Sequence, residues 1–236
     1  MATIAIYSSK GGVGKTTLAV NLAWCSATLS RRRTALWDLD PQGASSWVLG
    51  REPTGDQARA MFTKDAKVTD HVRPTASANL DLIPADASLR DLDRLLHDIG
   101  KRRRLDRLIE RLGQYDHVLL DCPPGLTETS EQVIRAADLI VLPAIPSPLA
   151  QRAADAVVRH LGGKVPVLPV HMMADRRRRL HADALAAHPD WPVIPMASAI
   201  EAMADHRAPL ATYAPRSPAV AAFATLWTAI ERCVAA

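Results

Sequence analysis

The 236-residue chain predicts an α/β fold, a doubly wound, mostly parallel sheet flanked by helices, as one domain over residues 1–236. Three observations carry this expectation. Short apolar runs alternate with longer segments of helical period along the whole length, the mark of repeated strand–helix units. The runs lack strict in–out alternation, as parallel strands do when both faces are covered. Hydrophobic residues make up 48%, enough for one sizeable core.

The elements follow in order. Thr3–Ser8 is an apolar run that ends at a glycine-rich string, and Thr16–Ser30 takes up a helical pattern directly after it. Thr34–Asp38 and His117–Asp121 are strands that each end in a carboxylate. Leu80–Pro84, Leu139–Pro143 and Val165–Val170 complete the predicted strands. Helical periods cover Leu89–Leu112, Glu128–Ala137, Leu149–Leu161, Leu180–His188 and Pro218–Val234. Gly50–Val68 has no clear period, and neither an internal repeat nor a linker divides the chain.

Composition excludes several classes. A formal net charge of +4 permits an anionic partner without requiring one. Aromatics at 4% disfavour a base-stacking single-strand binder. Cys25, Cys122 and Cys233 are scattered and form no CxxC pair, so neither a disulfide framework nor a thiolate zinc site is expected. No apolar run approaches the ~18 residues of a membrane helix, and the chain opens on a strand-like segment, not a leader. A cytoplasmic protein with no membrane partner is the expectation.

The chemistry concentrates in Ser8-Ser9-Lys10-Gly11-Gly12-Val13-Gly14-Lys15-Thr16-Thr17. Glycines let successive N–H groups turn inward onto phosphate oxygens, and the following helix adds its own free N–H groups and positive dipole end. Lys15 is placed to reach β- and γ-phosphates, the Thr16 hydroxyl to ligate Mg²⁺, and Thr17 to sit near the α-phosphate. The ordinary G-x-x-x-x-G-K-[ST] pattern is not met, because Ser9 stands at its first glycine; a second lysine, Lys10, lies inside the loop.

This string resembles the deviant phosphate loop of the ParA/MinD family of P-loop ATPases. The resemblance implies ATP and Mg²⁺ as cofactors, with Gly11, Gly12, Val13, Gly14, Lys15, Thr16 and Thr17 holding the nucleotide. It also implies an ATP-dependent homodimer in which Lys10 reaches the partner's phosphates, where a second cation offsets charge on the γ-phosphate. Trp37-Asp38-Leu39-Asp40-Pro41-Gln42-Gly43 resembles the family's D-x-D-P-Q-G motif. There Asp40 positions the attacking water and Asp38 supports the magnesium shell; by itself the string also reads as a strand-to-turn connection. His117–Gly125 resembles the Walker B strand and second switch, with Asp121 beside the magnesium and Pro123-Pro124-Gly125 as the γ-phosphate sensor. Cys122 reads as a small buried hydrophobe. Leu142–Leu149 and Val165–Met173 resemble later family segments, the latter placing Met172 near the adenine; Met172 and Met173 read equally well as core fillers.

The branches of the family differ in what they attach to this engine. Cys122 and Cys233 lack the setting of a cluster-bridging reductase. Residues 224–236 carry one basic side chain, unlike a membrane-lying MinD helix. The tyrosine clusters of the capsule-kinase branch are missing, and no helix-turn-helix precedes the loop. The expectation is a short ParA-like ATPase, slow alone and stimulated by an activator or adaptor protein tied to its cargo. It would be nucleoid-associated, binding double-stranded DNA non-specifically while it partitions or positions a plasmid, chromosome or protein assembly. The alternatives are a deviant-loop ligase of dethiobiotin-synthetase type and a MinD-like positioning ATPase. Basic runs at Arg31–Arg33, Lys101–Arg104 and Arg176–Arg179 could each be a solvated face. Arg176, Arg177, Arg178 and Arg179 form the densest run and the expected DNA surface, with Arg207 as a weaker addition.

Overall fold

A computed structural model of the chain describes residues 1–52, 57–63, 67–99 and 103–235. Its strands are β1 (Ala2–Ile6), β2 (Thr34–Asp38), β3 (Arg73–Pro74), β4 (Leu80–Ile83), β5 (His117–Asp121), β6 (Leu139–Ala144), β7 (Val167–Ala174) and β8 (Val193–Pro195). Among the described residues they form one sheet in the order β3-β4-β2-β5-β1-β6-β7-β8. Only β3 runs antiparallel, against β4.

Helices α1 (Lys15–Trp24), α2 (Ala44–Val48), α3 (Gln57–Thr63), α4 (Leu92–Ile99), α5 (Arg104–Glu110) and α6 (Glu128–Ala136) belong to the first half. Helices α7 (Pro148–Leu161), α8 (Arg179–Ala187), α9 (Ser198–Glu201), α10 (Met203–His206), α11 (Leu210–Tyr213) and α12 (Pro218–Ala235) follow. Alternate residues of each central strand feed opposite cores. Ile4, Ile6, Leu36 and Leu119 pack with Leu18, Leu22, Phe223, Leu226 and Trp227 on the α1–α12 side. Ala5, Tyr7, Trp37, Val118 and Leu120 pack with Leu105, Leu108, Val133 and Val157 on the other. Both faces are therefore dry, which is why these strands read as unbroken apolar runs.

The expected doubly wound architecture is present, with differences that have local causes. β3 and β8 are edge strands of two and three residues, too short to leave a period in the sequence. β7 continues to Ala174, past the expected Val170, because His171 and Ala174 gain β8 as a partner. α1 passes into a π-helical turn over Cys25–Leu29. That turn seats Ser26 Oγ 2.7 Å from Thr34 Oγ1 and 2.9 Å from His117 Nδ1, a buried polar knot at the amino ends of the strands. The expected Leu89–Leu112 helix is described as a 3₁₀ turn over Ala87–Asp91, then α4 and α5, with residues 100–102 outside the described set.

The C-terminal segment is fastened to α1 by one buried side chain. Asn21 donates from Nδ2 to the Thr17 carbonyl at 2.8 Å and to the Met203 sulfur at 3.2 Å, and its Oδ1 accepts from the Leu210 N–H at 2.9 Å. Removing it strands a buried N–H. Asn21→Ala should therefore cost about 1–3 kcal/mol in chemical denaturation; an unchanged midpoint would contradict this anchoring role.

Candidate functional site

The loop after β1 takes its shape from residues that tolerate unusual backbone. Gly14, the residue before α1, has φ +90°, and a Cβ there would sit 2.8 Å from the Met172 methyl, so both conformation and space demand glycine. Gly11 and Gly12 are exposed, with open space where a Cβ would stand, leaving a cradle that a phosphate can approach closely. Lys15 is buried and donates from Nζ to the Lys10 carbonyl at 3.1 Å, curling its ammonium back over the loop. Burial pulls its pKa down, while Asp121 and Asp40 oppose that shift. Lys10 is half-buried at the loop's crest, its N–H bonded to Ser8 Oγ at 3.3 Å.

Sheet register brings the carboxylates to this loop. β5 lies between β1 and β2, and Asp121 is in register with Ile6 on one side and Asp38 on the other. Asp121 Oδ2 accepts from Thr16 Oγ1 at 2.9 Å and from Ser45 Oγ at 2.6 Å. Its Oδ1 is buried and has no partner. Such an orphan oxygen beside the Thr16 hydroxyl fits a magnesium-bound water. Among the described residues no group of three or more His, Cys, Asp or Glu forms a self-sufficient metal cage. Thr16 and Asp121 fit part of a Mg²⁺ shell whose remainder would be phosphate and water.

Asp38 behaves differently from its expected place in the metal set. It is fully buried; Oδ2 accepts from the Ser46 N–H at 2.8 Å and Ser46 Oγ at 2.7 Å, and Oδ1 from the Asp40 N–H at 3.2 Å. Both oxygens are thus engaged by the chain, and Asp38 acts as the brace of the loop carrying Asp40. Burial first, and then Asp121 beside it, raises the Asp38 pKa; burial likewise raises Asp121. Asp40 is half-exposed, with Oδ1 accepting from the Gln42 N–H at 2.9 Å. Sequence reasoning missed Ser45 and Ser46. The signal was available in part: two consecutive hydroxyls lie a few residues after Asp38, an acid at the end of a buried strand that needs donors.

The segment after Asp121 is held at one point and capped at its end. Tyr7 Oη donates to the Gly125 carbonyl at 2.9 Å, a contact sequence reading also missed, and Gly125 has φ +106°. Thr127 then caps α6 reciprocally with Ser130. Cys122 is buried and burial pushes its thiol well above the ordinary value, so it is inert filler. Beside α1, Thr17, Met172, Met173, Ile194, Met196 and Ile200 line a small cavity of about 70 Å³. Met172 is both core and pocket wall, as its two readings allowed.

The basic runs separate clearly. Arg176–Arg179 is exposed throughout and leads into the first turn of α8. Cations there oppose the positive helix end, so the dipole does not account for the run. Arg177 forks onto Asp175 at 2.9 and 3.0 Å and holds that carboxyl down at about 2, while Arg179 lies 3.8 Å from Asp183. In the Lys101–Arg104 run, Lys101 and Arg102 lie outside the described residues, and Arg104 is buried with Nη2 on the Met61 carbonyl. Arg207, expected as a weaker addition to the DNA surface, is engaged within the chain: its guanidinium lies 4.0 Å over the Trp47 ring, donates to the Trp47 carbonyl at 3.1 Å and sits 3.6 Å from Glu52.

Residues 1–162 match the AAA domain family. Sporulation initiation inhibitor protein Soj of Bacillus subtilis (strain 168) is 39% identical over 145 residues, covering 59% of this chain and 56% of Soj. Chromosome partitioning protein ParA of Caulobacter vibrioides is 37% identical over 149 residues, covering 61% of this chain and 55% of that protein. The alignments thus span little more than half the length of these relatives. The structure of McdA from Cyanothece in complex with ATP superposes with a TM-score of 0.83 at 23% identity, covering 98% of this chain and 96% of that one, a likeness of fold.

Two outcomes follow from the loop. Lys15→Ala should weaken MgATP binding by at least ~100-fold, the value of a charged contact of about 3 kcal/mol, in a calorimetric titration; near wild-type affinity would contradict the site. Burial raises the Asp121 carboxyl to about 6 in the free protein, and a nearby cation lowers it, so binding should release protons and tighten as pH rises through about 6, levelling off above it. Titrations in buffers of different ionisation heat should show that release, reduced in Asp121→Asn; equal heats for the two proteins in all buffers would refute it.

Proposed function

The chain belongs to the ParA/MinD family of P-loop ATPases, and from that premise we propose that residues 1–236 act as one domain, an ATP-dependent dimerising ATPase that binds DNA non-specifically and positions a cargo on it. The observation that carries this reading is a loop with two lysines. Lys10 is half-buried beside the open positions of Gly11 and Gly12, while Lys15 is already turned inward onto the Lys10 carbonyl. A second cation so placed has no task within its own loop and is suited to the phosphates of a facing copy.

In this reading Lys15 neutralises β/γ oxygens, and Thr16 with Asp121 would hold a magnesium ion, which when bound would supply positive charge at the phosphate oxygens. Asp40, braced through Asp38, holds the attacking water. Lys10 from the facing protomer completes the charge balance, so turnover requires two copies. Specific activity should then rise with protein concentration in the wild type; Asp40→Ala should lose turnover while keeping ATP, and Lys10→Ala should lose turnover at every concentration. A concentration-independent rate would contradict the shared site. Slow turnover alone and acceleration by a cargo-linked partner complete the reading. Its cargo role is supported by similarity to a chromosome partitioning protein.

DNA is the proposed track, and Arg176–Arg179 its contact. The run is exposed, set against the positive end of its helix, and would be doubled when two copies face each other. Each neutralised phosphate releases counterions, so affinity should fall with salt at a log–log slope of about −0.9 per contact, without base preference. A gel shift on non-specific duplex should appear with ATP and vanish in the Arg177→Glu, Arg178→Glu double variant, whose dimerisation is intact. Undiminished binding by that variant would move the surface elsewhere. Absence of any shift by the wild type would reject the DNA track and favour a small-molecule ligase.

A further inference from the structure

Arg207 is one of the few non-glycine residues with positive φ, at +47°, where it closes the short helix α10. An L-residue in this region is strained by about 1 kcal/mol or more and persists only where its surroundings over-determine it. The surroundings here are all contacts to the α2 region: the cation stacked over Trp47, the Nε–H on the Trp47 carbonyl, and Glu52 beside Nη2.

The helix so gripped is a sensitive element. α2 has only five residues, follows directly on Asp40-Pro41-Gln42-Gly43, and is too short to be stable by its own hydrogen bonds. From its inner side Ser45 holds Asp121 and Ser46 holds Asp38. From its outer side it meets Arg207. The segment bearing Arg207 follows Ala197, Ile200 and Glu201, which line the cavity beside Thr17, and is pinned to α1 through Asn21.

We propose that Arg207 is a positioning residue for the hydrolytic loop: its stack on Trp47 holds α2 inward, so that Ser45 and Ser46 keep Asp121 and Asp38 in place and Asp40 stays aimed at the phosphate side. The inference rests on the ATPase reading for its catalytic consequence, and on the geometry alone for the latch. Arg207 touches no reacting atom, and it links the wall of the cavity beside α1 to the loop that would carry the water.

Arg207→Gly separates this from a structural role, because glycine relieves the strained backbone while removing the latch. Because relieved strain offsets most of the lost contacts, the variant should melt close to the wild-type temperature and bind ATP with unchanged Kd. Its kcat should fall about tenfold, the worth of one stacked cation and its hydrogen bond. Trp47→Ala should behave alike, the double variant should lose no more than either single one, and Trp47→Phe, which keeps a ring beneath the cation, should stay closer to wild type. Hydrogen exchange at the amides of residues 44–48 reads the latch without any turnover and should quicken about tenfold in Arg207→Gly. Unchanged exchange there overturns the latch. Faster exchange with wild-type kcat in an active enzyme overturns the positioning role. A wild type that exchanges as expected but hydrolyses no ATP leaves the latch standing and refutes the ATPase reading instead.

Discussion

Two buried carboxylates on neighbouring parallel strands set the terms for the rest of this molecule. Asp38 and Asp121 lie in register at the carboxyl ends of β2 and β5, both essentially without solvent. Charges so placed must be met by donors or by a cation, or else take up protons. Ser46 and the Asp40 N–H meet Asp38 completely; Thr16 and Ser45 meet one oxygen of Asp121 and leave the other open. The asymmetry assigns roles. One carboxylate is structural support for the loop bearing Asp40, and its neighbour retains a free lone pair next to the hydroxyl that begins α1. The short helix α2, with hydroxyls on consecutive residues, exists in this position because both acids need it.

Much of this was readable in advance, and the limits are physical. The strings at residues 8–17, 37–43 and 117–125 announce the loop and its acids because phosphate and magnesium chemistry tolerate few substitutions. The central strands were readable because burial on both faces leaves runs with no polar interruptions, as in Leu119-Leu120 and Ile140-Val141. β3 and β8 were not, since two or three residues at an edge carry no period. The carboxylates of Asp38 and Asp121 look alike in sequence, and only the register and α2 reveal which one is saturated. Arginines were the least readable. Arg104 is buried on the Met61 carbonyl and Arg207 stacks on Trp47 from 160 residues away, whereas Arg176 and Arg178 project from the surface. Charge composition alone cannot distinguish these fates, because long side chains bury their stems or snorkel according to tertiary neighbours.

The two ends of the sheet divide the work. The carboxyl ends of β1, β2 and β5 gather the phosphate loop and the acids, as open α/β sheets do at their crevices. The β7–β8 side carries the cavity beside α1 and, beyond it, the Arg176–Arg179 run. Segment 197–210 crosses between these regions, docked by Asn21 on α1 and by Arg207 on α2.

The central claim is that Lys10 acts on a facing copy, so that nucleotide state sets the assembly. Sedimentation of the wild-type protein tests it most directly. With Mg²⁺ and a non-hydrolysable ATP analogue the account predicts a doubling of the 25.6 kDa mass, reverting to the single chain with ADP. The same mass in both nucleotides would contradict it.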